Sequence, residues 1–265
     1  MSQLAYRILT AAVLAPLVIW WILYIPSPLF DWMLGAIGIT ALFELVYMLG
    51  LPLRLWFALS AAAGVVLILA NEHAALAVLL LGLLWTALLM AAVKRSGPEH
   101  SLTGLAHKLA LAYWPASWLL LFVWTLSLVH RLPYGNMFML GAFIGVWVSD
   151  IAAYFAGRSL GKHKLCPPIS PGKTVEGSLA GLLLGVPAAA AVWIGLAHVG
   201  IGTAMLLGLV LVITGMLGDL AESTVKRVTG VKDSGHLLPG HGGLLDRIDA
   251  LVPAVSVTGL LWIGL

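Results

Sequence analysis

Asp219, Glu222, Ser223 and Lys226 recur at i, i+3, i+4 and i+7 within a largely apolar stretch. At 3.6 residues per turn they share one face of a helix, while Leu220, Ala221 and Val225 fill the positions between. Further on, Asp246 and Asp249 stand one turn apart, with Arg247 between them and Pro253 one turn deeper. Carboxylates carried by two helices toward one spot suit a hard cation. Mg²⁺ takes oxygen ligands and is held by one or two carboxylates plus substrate phosphates, and three aspartates leave room for a second metal ion. Lys226, Arg227, Lys232 and Arg247 would then meet the remaining negative charge of a polyphosphate. Gly240, Gly242 and Gly243 permit the close backbone approach and exposed amides of a phosphate-cradling loop. His241 sits among them as a proton-transfer group or a phosphate hydrogen-bond donor. The alternative for each residue taken singly is structural: an intramembrane Asp–Lys pair can be a salt bridge, and a basic loop can be a topology signal.

A second polar window, Arg158 to Gly177, reads "RSLGKHKLCPPISPGKTVEG". Its "SPGKT" imitates a P-loop, but G-x-x-x-x-G-K-[ST] demands glycine at position 167, which is Pro167, and no strand is expected before it. What remains is Lys173, Thr174 and Glu176 at a helix entrance behind a rigid Pro167-Pro168 turn, with Ser170 or Thr174 as the cap. Asp150, followed one turn later by Tyr154, is a further carboxylate at the same end. Glu44, alone in an apolar run, is either the partner of a cation or a member of the site. Cys166 is the only cysteine, so an intramolecular disulfide is impossible.

The elements that must position these groups are membrane helices. Of 265 residues, 61% are hydrophobic and 9% charged, against roughly 25% charged in a soluble domain. The expected fold is all-α and polytopic, with about nine spans at 8–25, 29–50, 53–70, 74–93, 109–129, 135–157, 177–199, 203–226 and 246–264. The first is expected as a retained helix rather than a signal peptide, because its apolar run is long and no small-x-small site follows. Nine spans place thirteen Lys and Arg on one side and only Arg131 on the other. By the positive-inside rule the N-terminus is cytoplasmic and the C-terminus outside. The excess basic charge therefore reports topology and implies no nucleic acid. Fifteen of the 25 charged residues fall within 150–177 and 219–249, both at cytoplasmic helix ends, where a buried charge costing roughly 2.5–3.5 kcal/mol on insertion scales needs a partner or a function. The chain accordingly divides into N-terminal helices, 1–133, as scaffold, lipid access and oligomer contact, and a catalytic part, 134–265, with cytoplasmic loops 158–176 and 227–245.

"STVKRVTGVKDSGHLLPGHGGLLDRID", Ser223 to Asp249, resembles the signature of the phosphatidate cytidylyltransferases in its S-x-x-K-R, K-D, P-x-H-G-G and D-R-x-D. "SDIAAYFAGRSLGKHKL" and "SPGKTVEG" upstream are similar to the same family, so the likeness covers residues 145–265 well. The resemblance implies transfer of CMP from CTP to phosphatidate, giving CDP-diacylglycerol and pyrophosphate, by a divalent-cation enzyme of a bacterial-type cytoplasmic membrane. It implies Asp219 and Asp246 as metal ligands and Asp249 as an additional carboxylate. Ser223, Lys226, Arg227, Lys232, His241 and Lys173 become phosphate contacts, with Gly242, Gly243 and Arg247 beside them and Asp150, Glu176 and Glu222 as further candidates. A homodimer in the lipid bilayer is one assembly open to it. Two rivals share part of this pattern. A CTP-dependent polyprenol or phytol kinase, or a cytidylyltransferase for another lipid, would use similar carboxylates and glycines. A secondary transporter would use Asp150, Asp219 and Asp246 as relay groups, but the outer halves of the spans are almost free of ionisable residues.

Overall fold

The computed structural model describes residues 3–50, 102–235, 237 and 242–265, with side chains from residue 12 in the first stretch and from residue 115 in the second. The described chain is mostly helical: α1 (Gln3–Tyr24), α2 (Ser27–Met48), α3 (Leu102–His130), α4 (Gly135–Ser159), α5 (Val175–Ala197), α6 (Ile201–Thr229), α7 (Leu245–Ile248) and α8 (Leu251–Ile263). A two-stranded antiparallel ribbon, β1 (Lys164–Cys166) and β2 (Ser170–Thr174), lies between α4 and α5. Among the described residues four helices, α2, α4, α5 and α6, are long and apolar enough to cross a membrane, and shorter apolar segments occupy Ala12–Tyr24, Pro115–His130 and Leu251–Ile263. The expected spans at 8–25, 29–50, 109–129, 135–157, 177–199 and 203–226 each fall on one helix. Those at 53–70 and 74–93 lie outside the described residues.

Local chemistry explains the boundaries. Pro28 occupies the first turn of α2, where a missing N–H costs nothing. Gly230, at φ 73°, turns the chain at the end of α6 while the Val231 N–H closes onto the Lys226 carbonyl at 3.0 Å. Thr174 caps α5, its hydroxyl accepting from the Gly177 N–H at 3.1 Å. The expected span at 246–264 is divided into α7 and α8, although Asp249 and Ala250 keep right-handed helical torsions. The division falls in the turn before Pro253, which has no N–H to return to the carbonyl of Asp249 four residues back.

Two expectations for the second polar window need correction. The stretch 158–176 is not simply a loop, and a strand does precede "SPGKT": β1 comes before it and "SPGKT" itself forms β2. Cys166 and Ile169 close the turn around the two prolines, with the Ile169 N–H donating to the Cys166 carbonyl at 3.2 Å.

Packing follows the rule for apolar helices in lipid, where small residues let backbones meet. Along α4, Gly145 and Ser149 face Gly181, Gly185 and Ala189 of α5, and Gly141 lies against Trp193. A Cβ on Gly185 would stand 2.7 Å from the Ser149 Cβ and 2.8 Å from the Gly145 carbonyl oxygen. Where this seam widens, fully buried Trp193 fills it, stacking on Phe138 at 5.7 Å and donating its indole N–H to the Phe138 carbonyl at 3.0 Å. Gly185→Leu is expected to overpack the seam and cost about 1–3 kcal/mol or more, seen as a lower unfolding temperature in detergent; an unchanged temperature would show the seam to be loose.

At one end of the molecule Arg131 meets Asp31 at 2.5 Å and Ser127 donates to the same carboxylate at 2.7 Å. Phe30 lies stacked between Trp21 and His130. These contacts fix α2 against α3. The other end holds most of the charged side chains among the described residues.

Candidate active site

Four elements bring ionisable groups to that other end. From β2, Lys173 reaches Asp219 of α6 at 2.5 Å. One turn further along α6, Ser223 donates to Asp219 at 3.5 Å. The Lys226 ammonium lies between two carboxylates, pairing with Glu222 one turn back on its own helix and with Asp246 of α7 at 2.8 Å. The i, i+3, i+4, i+7 face of α6 therefore points inward as its spacing requires. Asp150 of α4 lies within electrostatic reach of Asp219, Lys173 and Arg247. Asp249, at the α7–α8 junction, faces the charges of Asp219, Glu222 and Lys226 and accepts from the Ala250 N–H at 2.8 Å. Gly218 makes this convergence possible: a Cβ there would lie 2.7 Å from the Asp249 carbonyl oxygen.

Asp246 is the most heavily bound of these groups. Its side chain is 4% exposed. One oxygen takes the Lys226 ammonium, and the other accepts the backbone N–H groups of Ser234 at 2.9 Å and Gly243 at 2.8 Å. The Lys226 ammonium and the two amides offset the cost of burying its carboxylate. Gly242, at φ 80°, brings the backbone against it, where a Cβ would stand 2.7 Å from an Asp246 oxygen. The glycines of the loop serve carboxylates in this arrangement, in addition to any phosphate they contact.

Other candidate residues lie at the margin. Arg227 donates through Nε to the Ile169 carbonyl at 3.1 Å, which ties α6 to the ribbon. Glu176 accepts from the ring Nδ1 of His163 at 2.6 Å and from its backbone N–H at 3.2 Å, which anchors the start of the ribbon. Lys232 and Arg247 are exposed on the same end. His241 and Gly240 lie outside the described residues.

Of the two readings of Glu44, the cation partner is not what the described residues show. Its carboxylate is buried in α2, 5% exposed, and its partners are uncharged donors. Leu244 N–H donates to it at 2.9 Å, Leu245 N–H at 2.8 Å and the Ser234 hydroxyl at 3.2 Å. The signal in the sequence was a lone carboxylate in an apolar run; its partners, main-chain amides, have no side-chain signature. Ser234, which bonds both Glu44 and Asp246, carried no signal at all.

The donor set suits a hard divalent cation in kind, since it consists of carboxylate oxygens. The buried Glu222 carboxylate has no hydrogen-bond partner besides the Lys226 ammonium among the described residues. No group of three or more ligating side chains converges on one point among the described residues. The described residues therefore offer one or two carboxylates at a time, and substrate phosphates would complete the shell of a Mg²⁺ ion.

A sequence model of the cytidylyltransferase family matches residues 5–263. A phosphatidate cytidylyltransferase from Pseudomonas aeruginosa is 35% identical to this chain over 275 residues, spanning 98% of the chain and 97% of that protein. Proteins of the same name from Staphylococcus epidermidis and Staphylococcus aureus are 47% identical over 131 residues and 45% identical over 133. Each of these two matches spans 49% of this chain and 50% of the relative.

Proposed function

The chain belongs to the cytidylyltransferase family, and from this we propose that its polar end transfers CMP from CTP to phosphatidate, forming CDP-diacylglycerol and pyrophosphate. The observation that carries the reading is the Lys226 ammonium held between Glu222 and Asp246, with Lys173 held by Asp219 beside it. Lysines parked on carboxylates are ready to exchange those partners for phosphate oxygens.

The chemistry asks little of a general base. A phosphate monoester oxygen of phosphatidate is already anionic near neutral pH. It attacks the α-phosphorus of CTP, the new P–O bond forms, the α–β anhydride bond breaks, and its electron pair leaves with pyrophosphate. The barrier lies in bringing two anions together and stabilising the charge on the leaving group, which is positioning and electrostatic work. Lys173, beside Asp219, and Lys226, between Glu222 and Asp246, supply positive charge. Ser223 offers a hydroxyl to a phosphate oxygen. Arg227, Lys232, His241, Arg247 and the amides around Gly242 and Gly243 extend the positive surface toward the water-borne nucleotide. One or two of Asp219, Asp246 and Asp249, together with the substrate phosphates, would hold Mg²⁺, which would supply charge neutralisation to the polyphosphate.

On the expected topology, nine spans with the N-terminus in the cytoplasm and the C-terminus outside, this end lies at the cytoplasmic face of the membrane. CTP then arrives from the cytosol and phosphatidate sideways from the leaflet. The helices before residue 134 serve as scaffold and lipid contact. Membranes containing the protein, given phosphatidate and CTP labelled at the α- or the γ-phosphate, test the reaction. The expected result is α-label in the lipid and γ-label in pyrophosphate. Lipid labelled from the γ position and not the α position would make the protein a CTP-dependent lipid kinase.

A further inference from the structure

We propose that Glu44, which lies in the N-terminal helices far from the signature in sequence, is a positioning residue that sets Asp246 for the transfer reaction; the inference rests on the cytidylyltransferase reading of the site. A carboxylate in an apolar helix is costly to bury, yet Glu44 is 5% exposed. It is held by three donors, Leu244 N–H, Leu245 N–H and the Ser234 hydroxyl, all within the segment that carries the site. Ser234 then passes its own N–H to Asp246 at 2.9 Å, and Gly243 adds a second N–H at 2.8 Å. Two carboxylates from opposite ends of the chain thus grip one short length of backbone from either side. Glu44 fixes where residues 243–245 sit, those residues fix the Asp246 carboxylate, and Asp246 fixes the Lys226 ammonium at 2.8 Å.

The glycines show how closely the grip is fitted. A Cβ on Gly235 would stand 2.8 Å from a Glu44 oxygen, and one on Gly243 would stand 2.5 Å from the other. Each Glu44 oxygen has a separate duty, Oε1 for Leu244 and Oε2 for Leu245 and Ser234. Glu44→Gln keeps the shape but replaces one acceptor with an N–H₂ that must face a donor. Glu44→Asp keeps both acceptors and withdraws them by a methylene.

The test compares the full-length wild type with Glu44→Gln, Glu44→Asp and Ser234→Ala in detergent. It reads backbone hydrogen exchange across 234–249, unfolding temperature, and kcat and KM for CTP. Glu44→Gln and Glu44→Asp are expected to speed exchange in that segment alone and leave the unfolding temperature close to wild type. Their kcat should fall about 10- to 100-fold, the range for removing a group that orients a ligand, with little change in KM; Ser234→Ala should show a smaller fall. Unchanged exchange at 234–249, or a kcat that falls only in step with a lower unfolding temperature, would overturn the proposal. Wild-type protein that transfers no α-label to lipid would refute the cytidylyl reading instead, and the exchange comparison would still decide whether Glu44 holds the loop.

Discussion

Asp246→Asn is expected to abolish CMP transfer, by about two to three orders of magnitude in kcat, while the protein still inserts and folds. The side-chain oxygen of asparagine can continue to accept the Ser234 and Gly243 N–H groups, which hold the loop in place. What disappears is the charge that holds Lys226 from across the helix boundary at 2.8 Å and that would hold Mg²⁺. The amide nitrogen would instead face the ammonium. Activity measured across a Mg²⁺ titration, with a melting curve beside it, checks both halves. Near-normal turnover at limiting Mg²⁺ would remove Asp246 from the metal site, and a collapsed melting curve would make its role structural.

Lys226→Met separates stability from chemistry in the opposite direction. Lys226 is 12% exposed and its two partners are 8% and 4% exposed, for Glu222 and Asp246 respectively. Removing the shared cation leaves two carboxylates buried without it, and breaking such a pair costs about 3–5 kcal/mol. The single variant is expected to unfold well below wild type and to be inactive. Adding Glu222→Leu should recover much of the unfolding temperature, because an apolar residue of similar size replaces one stranded charge. It should not recover transfer, since the ammonium needed by the phosphates is still missing. Recovery of activity along with stability would show that Lys226 is a structural counter-ion only.

The helices were legible because the hydrocarbon thickness sets their length and because prolines and glycines mark their ends. Span 177–199, for example, needed only its apolar run and the Thr174 cap. The face of α6 was legible for a similar reason, since period alone puts Asp219, Glu222, Ser223 and Lys226 together. Three features were not. The ribbon at 164–174 is short and exposed, so no hydrophobic alternation announces it. The division of the last span falls in the turn before Pro253, where the Ala250 N–H goes to the Asp249 side chain instead of continuing the helix. The contact from Glu44 to Leu244 and Leu245 runs between residues about 200 apart and uses main-chain donors, which every residue but proline possesses. Side-chain chemistry leaves a trace in sequence, whereas a side chain that reads backbone does not.

The Lys226–Glu222 pair lies within one helix, one turn apart. During synthesis α6 leaves the ribosome ahead of Asp246, so its lysine cannot yet lean on that partner. Glu222 is already present. The helix therefore carries its own counter-ion into the membrane as a net-neutral pair and enters lipid at lower cost than a lone ammonium would. When α7 emerges, Asp246 takes a share of a cation that is already in place. On this order of events Glu222 serves the birth of the protein, and Asp246 its working life.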